Sequence, residues 1–89
     1  MIEFRVKGKF VKYDYLSDRV KKFILMDPFG DRHLLAVTRN HLKEADKLIE
    51  GETYICTGTQ KLYTRQTSNG YTIHSNSMYV QKIEKTNNI

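Results

Sequence analysis

One cysteine, Cys56, stands in the whole chain. A lone thiol excludes an internal disulfide framework. Its context, "TYICTG", reads as a strand, where a small thiol is expected to be buried and inert. No neighbouring base is present to activate it as a nucleophile. The three histidines, His33, His41 and His74, do not stand at metal-ligand spacing with one another or with Cys56. No glycine-rich phosphate loop occurs. The carboxylates are scattered or gathered in one helical segment, so no catalytic constellation forms. No catalytic residue, no metal and no cofactor is therefore assigned, and the chain reads as a non-enzyme. No apolar run is long enough to span a membrane, and "MIEFRVKGKF" has no signal-peptide core. The expectation is a cytosolic protein without a membrane partner.

What is present fits one small domain. The chain has 89 residues, of which 39% are apolar, enough for a modest core. A single domain over residues 1–85 is predicted, with "KTNNI" patternless and a flexible end at 86–89. The formal charge is +5. Residues 40–52 carry Glu44, Asp46, Glu50 and Glu52 against Lys43 and Lys47. The excess of positive charge therefore lies outside that segment, in the parts that read as strands and loops. Such a distribution suits a polyanionic partner.

Residues 3–15 alternate Phe4, Val6, Gly8 and Phe10 with Arg5, Lys7, Lys9 and Val11, a period of two that predicts a strand with one apolar and one basic face. Gly8 in mid-strand predicts a bulge or bend, as at a barrel corner. Two further apolar runs, 20–27 and 32–38, flank "PFGD", a short hairpin connection. The period then changes. Leu42, Ala45, Leu48 and Ile49 recur at helical spacing, with Asn40 as N-cap and Gly51 as stop, which predicts a helix of about three turns. Residues 53–66 and 71–84 return to strand. The order β-β-β-α-β-β, mainly β with one short α-helix between strands three and four, predicts a five-stranded OB-fold Greek-key barrel.

Cations and rings interleave along this frame. Lys7 and Lys9 share the polar face of strand one, and Lys12, Tyr13, Tyr15, Arg19, Lys21 and Lys22 surround the first turn. Cations follow phosphates and flat rings stack on unpaired bases, which is what a single nucleic-acid strand requires of a protein. Phe29 sits at the tip of the second hairpin. Asn69-Gly70 marks a tight hairpin turn, and a two-residue loop there would pair Arg65 with His74, Tyr63 with Asn76 and Lys61 with Met78. Lys61, Tyr63, Arg65 and His74 would then share one face of a polar arm, with Tyr71 beside the turn. An exposed two-stranded ribbon is marginal alone, so the arm is expected to grip a partner. The alternative is that it pairs with a copy of itself, because exposed strand edges recruit other strands.

"FRVKGKFVKY", "KKFILMDPFGDRHLLAVT", "LKEADKLIEGETYICTG" and the late polar hairpin together resemble OB-fold single-stranded-DNA-binding proteins of bacteria, their plasmids and phages. The resemblance covers most of the chain and implies binding of single-stranded DNA, with RNA not distinguished. It also implies homodimers or larger assemblies and a place among replication or mobile-element proteins. Many such relatives stack bases on tryptophan and carry an acidic C-terminal tail. This chain has no tryptophan, so its tyrosines would have to serve, and "EKTNNI" is not acidic in that way. A small accessory or primosomal-adaptor-like form fits better than a housekeeping protein. The competing functional class is an OB-fold protein-interaction module in a replication or DNA-transfer complex.

Overall fold

The alternation in the first fifteen residues is reproduced in space. The computed structural model describes residues 2–86, and strand β1 runs Ile2–Leu16. Val6, Gly8 and Phe10 point inward, while Glu3, Arg5, Lys7 and Lys9 are exposed. Strands β2 (Val20–Met26), β3 (Arg32–Thr38), β4 (Thr53–Gln66) and β5 (Thr72–Thr86) follow. They close into a barrel in the order β1-β2-β3-β5-β4, with β4 pairing back onto β1. All neighbours are antiparallel except β3 and β5, which meet in parallel at Ala36 and Tyr79. With a helix between β3 and β4, this is the OB ground plan expected from the sequence.

Strand β1 serves two partners. Residues 2–9 pair with β4 and residues 9–16 with β2. The bend needed for this is permitted at Gly8, where a β-carbon would lie 2.6 Å from the Met26 carbonyl oxygen. Register shifts at Val11 and Asp14 add twist on the β2 side. Inside the barrel Phe23, Leu25, Leu35, Val37 and Val80 are fully buried, and Phe10, Tyr54, Ala45 and Leu48 pack around them. Each large apolar side chain so buried contributes about 1.5–3 kcal/mol.

The helix differs from expectation in type and limits. It is a 3-10 helix over Arg39–Lys47, begun at Thr38 with no side-chain cap and ended at Leu48, so Asn40 and Gly51 are not its caps. Nine residues is long for this geometry, and contacts from the barrel hold it. The Tyr13 hydroxyl donates to the Ala45 carbonyl at 2.5 Å. The Tyr54 hydroxyl donates to the Lys47 carbonyl at 3.2 Å and accepts from the Ile49 amide at 2.8 Å. Ala45 and Leu48 are buried as the periodicity required, but Ile49, past the helix end, is exposed. Gly51, at φ +86°, instead turns the chain into β4.

The arm differs in register. The expected two-residue loop would need positive φ at both Asn69 and Gly70, and among described non-glycine residues only Arg39 has one. The turn spans Thr67–Gly70, with the Gly70 amide on the Thr67 carbonyl and the Thr67 amide on the Tyr71 carbonyl. Gly70 alone takes the left-handed conformation, at φ +84°. The extra loop residue slips the pairing by one. Arg65 pairs with Ile73, Tyr63 with Ser75 and Lys61 with Ser77, while His74 pairs with Thr64. The expected pairing of Arg65 with His74 is therefore replaced by Arg65 with Ile73. At the far end β5 reaches Thr86, opposite Thr53, so Lys85 and Thr86 belong to the strand.

Candidate nucleic-acid interface

Cross-strand pairing lays out an ordered outer surface on β1, β2 and β3. Phe10–Leu25 and Tyr13–Phe23 are inward pairs, so their neighbours face out. Three outward rows result: Lys9, Met26 and Arg32; Lys12, Ile24 and Leu34; and Tyr15 and Lys22, the last ending on Ala36, which is buried. The two bulges in β1 are what bring Lys12 and Tyr15 onto this surface, because each restores the outward alternation after an extra residue. Ile24, Leu34 and Met26 form an apolar strip, with Leu34 half exposed. Lys9, Lys12, Lys22 and Arg32 surround it, and no ion pair among the described residues engages them. An apolar strip framed by unpaired cations suits a ligand with flat bases and a charged backbone.

At one end of this surface the β2–β3 loop presents Phe29, 91% exposed. Asp27 shapes the loop: its Oδ1 accepts the amides of Phe29 and Asp31, both at 2.9 Å, and its Oδ2 contacts His33 Nε2 at 2.8 Å. The hydrogen bond from His33, aided by those amides, holds the Asp27 carboxyl below its usual pKa. Lys7 and Lys9 line a shallow recess of about 390 Å³ with Met26, Asp27 and Pro28. Lys7 is also in register with Ile55 of β4, so it borders the surface rather than lying in it.

Of the other residues singled out in the sequence, Arg19 lies in the turn after β1, and Lys61 stands 5.8 Å from the centre of the Tyr79 ring. Arg65 and Tyr71 are exposed on the outer arm. The side chains of Tyr63 and His74 lie outside the described residues. Two residues belong elsewhere. Tyr13 packs edge-on against Phe10, with centroids 4.9 Å apart, and burial pushes its phenol above the ordinary pKa. Lys21 is ion-paired with Asp46 on the helix. Both brace the helix, and neither joins the outward rows. Arg32, Ile24 and Leu34 were missed. The signal for them was the alternation of β2 and β3, read through the geometry of the Asp27–Asp31 turn.

No family model matches the chain, and no curated protein matches it by sequence. Solved structures do match. The mitochondrial single-stranded DNA binding protein Rim1 of S. cerevisiae superposes with a TM-score of 0.77 at 11% identity, covering 98% of this chain and 95% of that one. The fold is that of single-stranded-DNA-binding proteins. A Plasmodium falciparum SSB, solved in complex with ssDNA, gives a TM-score of 0.62 at 14% identity over 98% of this chain and 96% of its own. A small single-stranded DNA-binding protein of Streptomyces coelicolor gives 0.55 at 14%, over 96% and 94%. At these identities the likeness is one of fold. Among the described residues no three His, Cys, Asp or Glu side chains cluster as a metal site would need, and no helix is long and apolar enough to cross a membrane.

Proposed function

We propose that this chain binds single-stranded nucleic acid, DNA in the first place, without catalysis. The three outward rows of β1, β2 and β3 form its platform. Lys9, Lys12, Lys22 and Arg32 hold phosphates, Tyr15 stacks on a base, and Ile24 and Leu34 supply an apolar floor. Lys7 and Phe29 extend the platform at one end, and the β4–β5 arm, with Arg65 and Tyr71, closes over the strand. The observation that carries this reading is the convergence of four unpaired cations around one exposed apolar strip. The fold shared with single-stranded-DNA-binding proteins supports it. The same reading places the protein in the cytosol, at work in replication or on mobile elements, as a homodimer or larger assembly.

The test is titration of a fluorescent oligo-dT at two salt concentrations. Binding should be tight at low salt and fall steeply as salt rises, because each neutralised phosphate releases counterions, with a slope of about −0.7 per contact for single strands. Absence of binding at low salt would overturn the proposal and favour a protein partner on the same apolar strip.

A further inference from the structure

Strand β3 has one paired edge and one edge that is almost free. Along its whole length it pairs with β2, from Arg32 opposite Met26 to Thr38 opposite Val20. On its other side it meets β5 at the single pair Ala36–Tyr79. Among the described residues, no residue of β5 pairs with Arg32, His33, Leu34 or Leu35. A groove of about 460 Å³ opens along this stretch, with Lys22, Arg32, His33, Leu34 and Met78 in its walls, and no carboxylate lines it among the described residues.

The hairpin turn fixes which backbone groups are left over. The Asp27 amide donates to the Asp31 carbonyl, so these two form a hydrogen-bonded pair. Bonded and non-bonded pairs alternate along an antiparallel ladder. Leu25–His33 and Phe23–Leu35 are therefore bonded pairs, while Arg32, Leu34 and Ala36 turn their amides and carbonyls away from β2. Ala36, of this outward set, is the residue that pairs with β5. Arg32 and Leu34 direct theirs to the free edge.

Exposed strand edges are usually guarded by proline, lysine, a bulge or a covering segment. Arg32–Leu35 holds no proline or lysine, and its register on β2 is unbroken. The helix begins at the opposite end of β3, after Thr38. The one strong charge on the edge is Arg32, with Lys22 in the same groove. Two cations repel the matching edge of a second copy and attract carboxylates. Half-exposed Leu34 stands between them as an apolar contact. A DNA backbone offers acceptors only and leaves outward carbonyls unpaired. A peptide strand offers donor and acceptor in alternation.

We propose that the free edge of β3 docks an extended acidic peptide of a partner protein, which adds as a further strand beside Arg32–Leu35. Its main chain pairs with Arg32 and Leu34. On the outer face an apolar side chain lies beside Leu34, and acidic ones two residues away on either side lie near Arg32 and Lys22. This activity is separate from oligonucleotide binding and does not rest on it.

The experiment titrates isotope-labelled protein at low salt with end-blocked Glu-Thr-Val-Thr-Glu, about one strand in length, and follows amide shifts and hydrogen exchange. In the free protein the Arg32 and Leu34 amides should exchange faster than those of His33 and Leu35. Saturating peptide should slow the first two by about tenfold or more. The same peptide N-methylated at every residue, and its counterpart with lysine in place of glutamate, should each bind about tenfold or more weakly. Leu34→Pro removes only an outward amide, so it should fold, as melting will show, and lose the peptide. If that variant does not fold, the peptide comparison on the parent still decides. Equal binding of the N-methylated or lysine peptide, or no binding of the acidic one, would overturn the proposal. So would oligo-dT slowing the Arg32 and Leu34 amides as strongly as the peptide, which would give the edge to nucleic acid. A protein that takes the peptide but no oligo-dT keeps the docking edge and loses the platform, and the reverse result removes the edge alone.

Discussion

Gly58 of β4 lies directly against the carbonyl of Tyr79 on β5, so closely that a β-carbon could not be accommodated without moving the backbone. The contact falls where β5 carries an extra residue, Thr57 pairing with Lys82 and Gly58 with Val80. It is also where β5 turns to meet β3. Gly58→Ala should therefore strain the barrel at its closure, costing about 3 kcal/mol or more. Thermal melting checks this, with a fall well above 10 °C expected, at about 4–8 °C per kcal/mol for a domain of this size. A melt within about 2 °C of the parent would show that the seam tolerates a side chain.

The two tyrosines of β1 separate into different roles. Tyr13→Phe removes the hydroxyl that caps the Ala45 carbonyl, and should lower stability by about 1 kcal/mol with oligonucleotide affinity intact. Tyr15 is half exposed among the outward rows. Tyr15→Ala should leave the melt nearly unchanged and weaken binding by about 1–3 kcal/mol. Equilibrium unfolding and oligo-dT titration on both variants decide between this division and its reverse.

The β2–β3 loop should respond to acid. The hydrogen bond with His33, together with the Phe29 and Asp31 amides, depresses the Asp27 pKa in the folded state. The resulting stabilisation is present above the unfolded carboxyl's pKa and is lost as pH falls through the lower folded value. Amide shifts of Phe29 and Asp31, followed by NMR during acidification, should titrate together with a midpoint below that of an ordinary aspartate. His33→Gln should move that midpoint upward. A midpoint at the ordinary value in the parent would contradict the loop geometry.

Burial pushes the Cys56 thiol up to about 12, and the side chain is fully enclosed. Native protein at pH 8 should resist a thiol-alkylating reagent, and protein unfolded in denaturant should react at the rate of a free cysteine. Fast modification of the native state would mean that β4 opens readily.

Much of this architecture could be read from residue order, because the signals were periodic. The strict alternation of Phe4, Val6, Gly8 and Phe10 with charged residues needs only a pleated strand to explain it, and Gly8 marked the bend. The arm was different. Asn-Gly serves a two-residue loop and also a longer turn with glycine alone left-handed, and neither face of the arm is apolar, so burial could not select the register. Local spacing therefore pairs Arg65 with His74, one residue off the observed register with Ile73. The helix was legible as a helix because Ala45 and Leu48 seek the core. The contacts that hold it come from Tyr13, Tyr54 and Lys21, which are distant in the chain, and local spacing does not carry that information. For the same reason local spacing does not show that Tyr13 and Lys21 contact the helix, at Ala45 and Asp46. Arg32 and Leu34 escaped notice because their alignment with Lys9 and Lys12 depends on turn geometry and two bulges.

The most direct test of the platform is an amide chemical-shift map of isotope-labelled protein titrated with oligo-dT of about 8 nucleotides. Perturbations should concentrate on Lys9, Lys12, Tyr15, Lys22, Ile24, Arg32 and Leu34, and spare Arg5, Thr57 and Lys82. Shifts gathered on that second group, or none anywhere at low salt, would contradict the account.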